Sequence, residues 1–373
     1  MDEIQCLGRD LWSLILSYIS PKDFKSLRLT NKCIEQKIRD YYFGNFTFAI
    51  PRVPERQKLH PLIRKVLLNT FSDYQRILVS NPFITHLRLW YDFNHSISIP
   101  TRVTHFEMGR DFNQPIIIPP SVIHLKMGWA FNASVFLSPS LTYLEMGRSF
   151  NRPIDLPLSL THLIMGNCFN QPIDLPMGIT YVEMGQIFNP PILIPSSVTH
   201  LILGQFFNQP ILIPSSVTHL TIGDRYSHPI IIPLSVTHLA TAYGFNQPIN
   251  VPSSVTHMEM GSSFNQPIVL PSNLMYFEMG FYFNQPIDLP LSLTHLFLGY
   301  YFNQPITLPP SLTYIRIGTH SNRTIGGTLS VIHIHIKGEF NNPIVFHFDV
   351  SFFRNPNRFT EMMPKNTTKI KLE

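Results

Sequence analysis

Apolar and polar positions repeat every 19 residues along most of the chain. The dipeptide Phe-Asn marks this period from residue 93 to residue 341, and fourteen registers fit it without a slip. Phe holds the first position in twelve registers and Asn holds the second in thirteen, with Tyr226 and Ser227 among the exceptions. A stack of near-identical coils explains such a period, because each coil must present the same surface to its neighbour. The pattern therefore predicts a solenoid, an architecture that usually binds rather than catalyses.

Within one coil, the segment V-T-H-L-x-M has apolar residues at its first, fourth and sixth places, as in residues 198–203. This spacing resembles the L-x-x-L-x-L strand of leucine-rich repeats, although those repeats are usually longer. In such a strand Leu201 and Leu203 point inward, whereas His200 and Ile202 point out of the sheet. Glycine follows in eleven of fourteen coils and indicates a turn that needs a positive φ or a close backbone approach.

The run P-I-x-(L/I)-P predicts a second extended segment on the opposite side of each coil, with its Ile and Leu inward. Proline at both ends disfavours a regular central strand and favours polyproline-like or edge geometry. Nineteen residues leave no room for a helix in each coil. Coils stacked about 4.7–4.8 Å apart would make a parallel sheet roughly 65 Å long.

The interior of the predicted solenoid follows from the apolar columns of the repeat. About six apolar side chains per coil, each contributing on the order of 1.5–3 kcal/mol when buried, can hold the stack together without a cofactor. The asparagine column is polar in this otherwise apolar run. We expect its side chains to bond the backbone of the turn, so that Asn208→Ala costs about 1–3 kcal/mol.

Ten of the sixteen histidines fall in one column, and tyrosine occupies the same column in four other coils. A metal array or a proton wire is one interpretation, and a stacked ladder of planar rings on the sheet face is the other. The tyrosines and the lack of compensating Cys or Asp favour the ladder, and we predict no metal. Imidazoles about 5 Å apart cannot all be charged cheaply, so their mean pKa should be depressed and stability should fall below about pH 6.

Composition narrows the environment and the partners. Three widely separated cysteines, an odd number, are not typical of a disulfide framework, which favours the reducing cytoplasm or nucleus. The first residues have no basic region followed by a long apolar stretch, so we expect no signal peptide, and the sequence has no run of about 18 apolar residues that could span a membrane. Residues 1–81 hold 13 Lys/Arg and 8 Asp/Glu, whereas residues 82–373 hold 15 of each. A neutral solenoid has no cationic stripe along which phosphates could lie, so we expect no nucleic-acid partner.

Residues 1–45 do not follow the 19-residue repeat, and their pattern of apolar residues predicts three helices. Leu11, Leu14, Ile15 and Tyr18 form an amphipathic stripe. The sequence SPKD at 20–23 has the form of a helix start, with serine as N-cap, proline at the first helical position and an acid at the third. A third helix is expected from about residue 30.

This segment resembles an F-box in residues 7–11 (LGRDL) and 15–32 (ILSYISPKDFKSLRLTNK). It departs from the pattern at Gly8, where proline is usual, at Asp10, where glutamate is usual, and at Ile34, near the usual tryptophan. The repeat is similar to the FNIP repeat, here with the core F-N-Q-P. The combination looks like the F-box/FNIP-repeat proteins of social amoebae and of giant viruses that infect amoebae.

The resemblance implies that residues 1–45 dock a Skp-type adaptor of a cullin–RING ubiquitin ligase. The implied adaptor-binding residues are Leu7, Leu11, Ile15, Leu16, Ile19 and Leu27. The alternative is that these residues only pack a helical cap. The host-cell cytoplasm is the expected location if the chain is viral.

The expected fold class is α+β, with a small three-helix F-box before a leucine-rich-repeat-like parallel β-solenoid of about fourteen coils. The predicted domains are the F-box (1–45), a linker and N-terminal cap (46–81), the solenoid (82–346) and an irregular C-terminal cap (347–373). Residues 63–68 within the linker have the character of a degenerate first coil.

Catalytic motifs are missing from the sequence: it has no P-loop, dinucleotide fingerprint, CxxC pair, H-E-x-x-H or G-x-S-x-G. We therefore expect a binding protein without a cofactor, whose specificity lies in the columns that vary while the frame stays constant. Aromatic side chains are frequent anchors of protein interfaces. The predicted target-binding residues, which we expect to lie on one face, are Ile202, Phe206, Phe297, Tyr300 and Tyr301. The alternative is that they are scattered exposed apolar side chains without a function.

Two functional hypotheses remain open. In the first, the chain is the substrate receptor of a ligase, with the adaptor at residues 1–45 and the target on the solenoid. In the second, it is a scaffold or a decoy that holds adaptor or host protein without ubiquitylation. Adaptor binding separates a free scaffold from the others, and ubiquitin transfer separates receptor from decoy.

Overall fold

The computed structural model describes residues 48–49, 65–68, 83–317, 325–326, 333–336, 344–346 and 370–372. The chain divides into two compact units, Met1–Leu160 and Thr161–Glu373. Both units are built from short strands that pair in parallel.

The strands of the first unit are β1 (Phe48–Ala49), β2 (Lys65–Leu68), β3 (His86–Leu89), β4 (His105–Glu107), β5 (Ile116–Ile117), β6 (His124–Lys126), β7 (Val135–Phe136) and β8 (Tyr143–Glu145). The strands of the second unit are β9 (His162–Ile164), β10 (Tyr181–Glu183), β11 (His200–Ile202), β12 (His219–Ile222), β13 (His238–Thr241), β14 (His257–Glu259), β15 (Tyr276–Glu278), β16 (His295–Phe297), β17 (Ile306–Thr307), β18 (Tyr314–Ile317), β19 (Ile325–Gly326), β20 (His333–Ile336), β21 (Ile344–Phe346) and β22 (Ile370–Leu372).

The main sheet of each unit contains one strand from each coil. In the first unit β1, β2, β3, β4, β6 and β8 are neighbours in that order, and in the second unit β9 to β16 are followed by β18 and β20. Residues 19 apart lie opposite each other, as Leu201 of β11 does with Leu220 of β12. The pairs β5–β7, β17–β19 and β21–β22 lie outside the main sheets. The predicted degenerate coil supplies β2, which pairs with β3.

The core is the set of inward columns that the repeat predicts. In the coil that contains β11, Val198, Leu201, Leu203 and Phe207 are all buried. In the second extended segment of that coil Ile213 is buried, whereas Leu212, which points away, is 82% exposed. The phenylalanine rings stack from coil to coil, with centroids 5.9 Å apart for Phe131 and Phe150 and about 6 Å apart elsewhere.

Two turns close each coil. The Val198 N–H donates to the Pro195 carbonyl at 3.1 Å, and the Phe207 N–H donates to the Gly204 carbonyl at 3.1 Å. Glycine occupies most positions after the strand because the backbones of neighbouring coils approach each other closely there, and Trp90 and Ala242 are the exceptions within residues 83–317. A Cβ on Gly204 would lie 2.2 Å from the Gly185 carbonyl oxygen, and neither Gly204 nor Gly185 has a left-handed φ.

The asparagine column bonds the turn backbone as predicted. The Asn208 N–H donates to Asn189 Oδ1 at 2.8 Å, and Asn208 Oδ1 accepts the Ser227 N–H at 2.9 Å. The same bond joins Asn94, Asn113, Asn132 and Asn151 in the first unit. Each asparagine thus satisfies a donor of the next coil, which the strands leave unpaired.

The expected α+β fold class is wrong. The described residues form strands and turns and contain no helix, so the fold that they show is a parallel β-solenoid. The physical reason for the absence of helices there is that two turns and two extended segments use all 19 residues of a coil. The backbone N–H groups donate to carbonyls of the neighbouring coil and not to carbonyls within a helix. Residues 1–45, for which three helices were predicted, lie outside the described residues. Thirteen of the predicted coils have their strand within residues 83–317.

Candidate protein-interaction surface

Two sets of side chains face outward at the strand side of each coil. The first lies on the sheet and comprises the histidine column and the variable column, which is the residue two places later in the same strand. The second is the turn rim, the two residues that follow the strand-ending glycine or its equivalent. Strand alternation positions the first set, because the residue between them points into the core. Backbone bonds position the rim, as when the Phe206 N–H donates to the Gln186 carbonyl at 2.9 Å.

The histidine column forms the predicted ladder of stacked rings. Ring centroids are 4.2 Å apart for His200–His219 and for His219–His238, and 4.4 Å apart for His238–His257. Tyrosine continues the stack with wider spacing, such as 5.9 Å between His257 and Tyr276. Within the part of the chain that the structure describes, no group of three or more His, Cys, Asp or Glu side chains has a geometry that could hold a metal ion.

A threonine orients each ring in most of these coils. Thr199 Oγ1 donates to the Thr180 carbonyl at 3.2 Å and lies 2.9 Å from His200 Nδ1. The single hydrogen of the Thr199 hydroxyl is used in the bond to the Thr180 carbonyl, so Oγ1 can only accept from the ring. In the neutral imidazole, therefore, Nδ1 carries the proton and donates it to Thr199 Oγ1. Protonation therefore takes place at Nε2, on the side of the ring away from the threonine.

Several histidine pKa values in this column are lowered. Burial lowers the pKa of His86 to about 4, with further contributions from His105 and Lys65. Burial, followed by repulsion from neighbouring imidazoles, also lowers the pKa of His219 and His238. The ladder is therefore uncharged over these rings at neutral pH.

The variable column contains ion pairs between neighbouring coils. Arg88 lies 3.3 Å from Glu107, and Lys126 lies 2.8 Å from Glu145. All four side chains are at least a quarter exposed, so each pair stabilises the fold little. A cavity of about 240 Å³ lies on this part of the sheet face, lined by Lys65, Val66, His86, Leu87, Arg88, His105, Phe106, Glu107, His124 and Lys126.

In the second unit the variable column contains an aromatic group around Phe297. Its ring lies 5.1 Å from the Tyr276 ring and 5.2 Å from the Tyr314 ring. The Arg316 guanidinium lies 4.7 Å from the Phe297 centroid and bonds Glu278 at 2.9 Å. Burial, followed by the charge of Glu278, raises the pKa of Tyr276 to about 12.

Four large rings lie together on the turn rim of two adjacent coils. We call Phe281, Tyr282, Tyr300 and Tyr301 the aromatic cluster. Phe281 stacks on Tyr300 at 4.6 Å, and Tyr282 stacks on Tyr301 at 5.4 Å. The two stacks meet nearly at right angles, with 79° between the rings of Tyr300 and Tyr301. Phe281, Tyr282 and Tyr301 are 40–49% exposed.

The predicted target-binding residues fall into separate places. Tyr300 and Tyr301 belong to the aromatic cluster, whereas Phe297 belongs to the group in the variable column. Phe206 lies five coils away, with the Arg225 guanidinium 4.8 Å from its ring centroid. Ile202 is half-buried in β11. The structure brings Tyr300 and Tyr301 into contact with each other, and among the described contacts it joins neither of them to Ile202 or Phe206.

The sequence prediction missed a column of the rim in the first unit. We call Tyr91, Arg110, Trp129 and Arg148 the rim ladder. The Arg110 guanidinium lies 4.9 Å from the Tyr91 ring centroid and 5.8 Å from that of Trp129, and the Arg148 guanidinium lies 4.5 Å from that of Trp129. The alternation of ring and arginine at 19-residue intervals was the available signal.

The predicted adaptor-binding residues lie outside the described residues. They are Leu7, Leu11, Ile15, Leu16, Ile19 and Leu27. Among the described residues there is also no helix with the length and apolar character needed to cross a membrane.

Comparison with known proteins identifies the repeat. The family model for the FNIP Repeat matches residues 93–130, 133–168, 169–206, 207–240, 245–282 and 283–320, which together are more than half of the chain. No curated protein matches the chain.

Solved structures with a similar fold include CroV588, a novel circular LRR protein, with a TM-score of 0.61 and 29% identity. The similarity covers 84% of this chain, which spans only 60% of the length of CroV588. YopM from Yersinia enterocolitica is 17% identical over 85% of this chain and 79% of its own, with a TM-score of 0.42. A leucine-rich repeat protein from Bacteroides ovatus is 15% identical over 84% of this chain and 78% of its own, with a TM-score of 0.25. The likeness to CroV588 agrees with a parallel, leucine-rich-repeat-like solenoid.

Proposed function

The chain belongs to the FNIP-repeat family, and on that premise we propose that it is a protein-binding scaffold whose contact surface includes the aromatic cluster. One observation carries the proposal: four large rings on two adjacent coils are stacked in a defined arrangement while three of them stay 40–49% exposed. Tyrosine and phenylalanine supply large contact areas and are frequent anchors of protein interfaces.

The arrangement of the aromatic cluster favours binding because its rings are ordered before a partner arrives. Each ring is confined by a parallel neighbour in the next coil and a perpendicular neighbour in its own coil. A partner therefore does not have to order these side chains, and the entropic cost of association is reduced. Backbone bonds between coils, such as the Tyr301 N–H to the Phe281 carbonyl at 3.0 Å, hold the rim itself in place.

The proposed activity is binding, without catalysis. The support is the solenoid fold, which presents repeated surfaces to a partner, together with a sequence that carries none of the catalytic motifs considered above. The partner is proposed to be a protein because the cluster combines apolar ring faces with phenolic groups, as interface hot spots do.

A photo-crosslinking experiment tests the role of the aromatic cluster. A photoreactive phenylalanine analogue in place of Tyr301 should crosslink to a partner, which is identified and then titrated in pure form against the unmodified chain. Tyr300→Ala should weaken that binding at least about tenfold, since truncated hot-spot residues typically cost 2 kcal/mol or more. Tyr243→Ala is the matched control, because Tyr243 is an exposed rim tyrosine of another coil. Equal affinity of the Tyr300→Ala variant and the unmodified chain would refute the proposal.

A narrower proposal is that the scaffold serves as the substrate receptor of a ubiquitin ligase. Its support is the sequence resemblance of residues 7–32 to the F-box, and the proposed partners are a Skp-type adaptor and a cullin. Co-purification with adaptor and cullin should be lost in a Leu11→Ala, Ile15→Ala double variant. Ubiquitin transfer to the partner identified by crosslinking distinguishes a receptor from a decoy. If the unmodified chain does not retain the adaptor, the ligase proposal is refuted and only the scaffold proposal remains.

A further inference from the structure

The rim ladder of the first unit holds two arginines between and beside aromatic rings. All four side chains are exposed, with Tyr91 at 52% and Trp129 at 49%. Arg110 lies within 6 Å of both ring centroids, and Arg148 approaches Trp129 from the next coil. These distances are those of cation–π contacts, which hold a guanidinium against a ring face.

The spacing of the rim ladder is set by the backbone. The Asp111 N–H donates to the Tyr91 carbonyl at 2.9 Å, the Ala130 N–H donates to the Arg110 carbonyl at 2.8 Å, and the Ser149 N–H donates to the Trp129 carbonyl at 2.9 Å. Each rim residue is therefore tied to the next coil. Arg110 and Arg148 are two coils apart, which corresponds to about 9.4–9.6 Å at the usual spacing of strands in a sheet.

The two guanidinium groups retain most of their capacity for anions. Arg110 approaches the Asp111 carboxylate only to 3.9 Å, and both side chains of that pair are about half exposed. Among the described residues, Arg148 has no ion-pair partner. A guanidinium stacked on a ring keeps its planar fork of N–H donors, which matches a carboxylate in two parallel bonds.

We propose that the rim ladder binds an extended, polyproline-II segment of a partner protein that carries acidic side chains three residues apart. A polyproline-II helix has three residues per turn and rises about 3.1 Å per residue, so side chains at i and i+3 share a face and lie about 9.3 Å apart. This distance matches the interval between the two arginines. A β-strand would not match, since residues three apart point to opposite faces.

The rings complete the site for such a segment. Aromatic side chains line the grooves that recognise proline-rich segments, and Tyr91 and Trp129 flank the arginines in this column. A nucleic acid fits the same surface less well. The neighbouring rim column carries Asp92 and Asp111, whose charges oppose a continuous run of phosphates more strongly than they oppose two separate carboxylates.

The proposed site is independent of the aromatic cluster, which lies in the second unit at residues 281–301. Failure of the crosslinking experiment at Tyr301 would not bear on the proposed peptide site at the rim ladder. Failure of the peptide-binding experiment would likewise not bear on the aromatic cluster. The two tests therefore fail separately.

Fluorescence anisotropy with labelled peptides tests the proposal. The probe is a proline-rich peptide with aspartates at i and i+3, and it is compared with a peptide of the same composition whose aspartates are adjacent, and with one that has lysine for aspartate. We expect the peptide with aspartates at i and i+3 to bind at least about fivefold more tightly than the peptide with adjacent aspartates. Only the first peptide can place a carboxylate on the guanidinium groups of both Arg110 and Arg148. The lysine peptide should not bind, and raising the ionic strength should weaken the complex.

Arginine variants assign the binding to the rim ladder. Arg148→Gln should weaken binding about tenfold, and Arg148→Lys should also weaken it, because an ammonium cannot form the paired bonds. Arg102→Gln is the matched control, since Arg102 is an exposed arginine of the same unit outside the ladder, and it should change affinity less than about twofold. Thermal unfolding of each variant establishes that it is folded.

Three results would overturn the proposal. Equal affinities of the two aspartate peptides would show that the chain attracts them by their net charge and does not recognise the spacing of the carboxylates. An unchanged affinity of Arg148→Gln would place the site elsewhere. Tight binding of a single-stranded oligonucleotide without binding of the i, i+3 peptide would assign the surface to nucleic acid.

Discussion

At the scale of single residues, the polar atoms of the repeat are used to connect coils. Asn208 both donates its N–H to Asn189 and accepts the Ser227 N–H, so one residue links three coils. Ser216 Oγ donates to the Val198 carbonyl at 2.7 Å in the turn on the other side of the strand. Side-chain bonds of this kind satisfy backbone groups that a curved chain of short strands cannot pair by itself.

Replacing Asn208 by alanine tests this role. The variant leaves the Ser227 N–H without its acceptor, so we expect the free energy of unfolding to fall by about 1 kcal/mol. This value is the lower end of the range of about 1–3 kcal/mol expected from the sequence. Ser227 is exposed, so water can accept a hydrogen bond from its N–H in place of Asn208 Oδ1. Chemical denaturation of both proteins measures the difference.

Asn208→Asp provides the control for this prediction. Aspartate keeps an oxygen at the Oδ1 position and should retain most of the stability that alanine loses. If the alanine variant unfolds at the same denaturant concentration as the unmodified chain, the hydrogen bonds of this column do not stabilise the solenoid.

Residue identity explains why the inward columns were predictable from the sequence and the contacts between rim side chains were not. The columns of Val198, Leu201 and Phe207 are nearly constant because each side chain packs against its own equivalent in the next coil. The rim positions vary, and what they form depends on the pair of residues in adjacent coils. Trp129 was visible as an aromatic residue after glycine, but its contacts with Arg110 and Arg148 emerge only when the coils are stacked.

At the scale of the structural element, the coil is limited by how closely its backbone approaches the next one. In the glycine column the carbonyl oxygen of one coil occupies the space of a Cβ in the next, at 2.2 Å for Gly204. The obstacle is backbone, which cannot rotate away as a side chain can. The sequence left two explanations open for these glycines, and the structure selects close approach over a left-handed φ.

Gly204→Ala should therefore destabilise the chain. The added methyl group must push two coils apart, and overpacking of this kind typically costs about 1–3 kcal/mol or more. Gly244→Ala is the matched control, because the atoms nearest to its Cβ would be side-chain atoms of Asp224 at 3.1–3.6 Å and not backbone. We expect Gly244→Ala to have nearly the stability of the unmodified chain in thermal unfolding. Similar melting temperatures for the two variants would contradict the close-approach explanation.

The same reasoning separates the correct part of the fold prediction from the wrong part. The 19-residue period determines coil length, inward columns and parallel register, because each is repeated in every coil. The α+β class was derived from an amphipathic stripe in residues 1–45 and from a family resemblance, neither of which depends on the period. The period itself predicts only strands and turns, and only these occur in the described residues.

At the scale of the whole molecule, stacking places like groups side by side along each column. For apolar columns this arrangement is favourable, since each ring or aliphatic chain buries area on both sides. For the histidine column it is favourable only while the rings are neutral. Repetition therefore connects the stability of the solenoid to the protonation of one set of side chains.

The melting temperature should fall as the solution is acidified from about pH 7.5 to about pH 5. His86, His219 and His238 have lowered pKa values in the folded chain, His86 to about 4, so near pH 5 the unfolded chain binds more protons than the folded one. Stability is then lost as the pH falls through the ordinary histidine value of about 6.5 towards the folded values. Allowing for solvent screening of these partly exposed rings, we expect a total loss on the order of 1–2 kcal/mol.

Replacing His219 and His238 by tyrosine provides the matched control for this pH dependence. Tyrosine already occupies the column at residues 143, 181, 276 and 314, so the stack should be preserved. Because tyrosine remains neutral throughout this pH range, the double variant should lose less stability on acidification than the unmodified chain. The measurement is a series of thermal unfolding curves across the pH range for both proteins. A melting temperature of the unmodified chain that stays constant, or that declines equally in the double variant, would show that the histidine ladder does not link stability to pH.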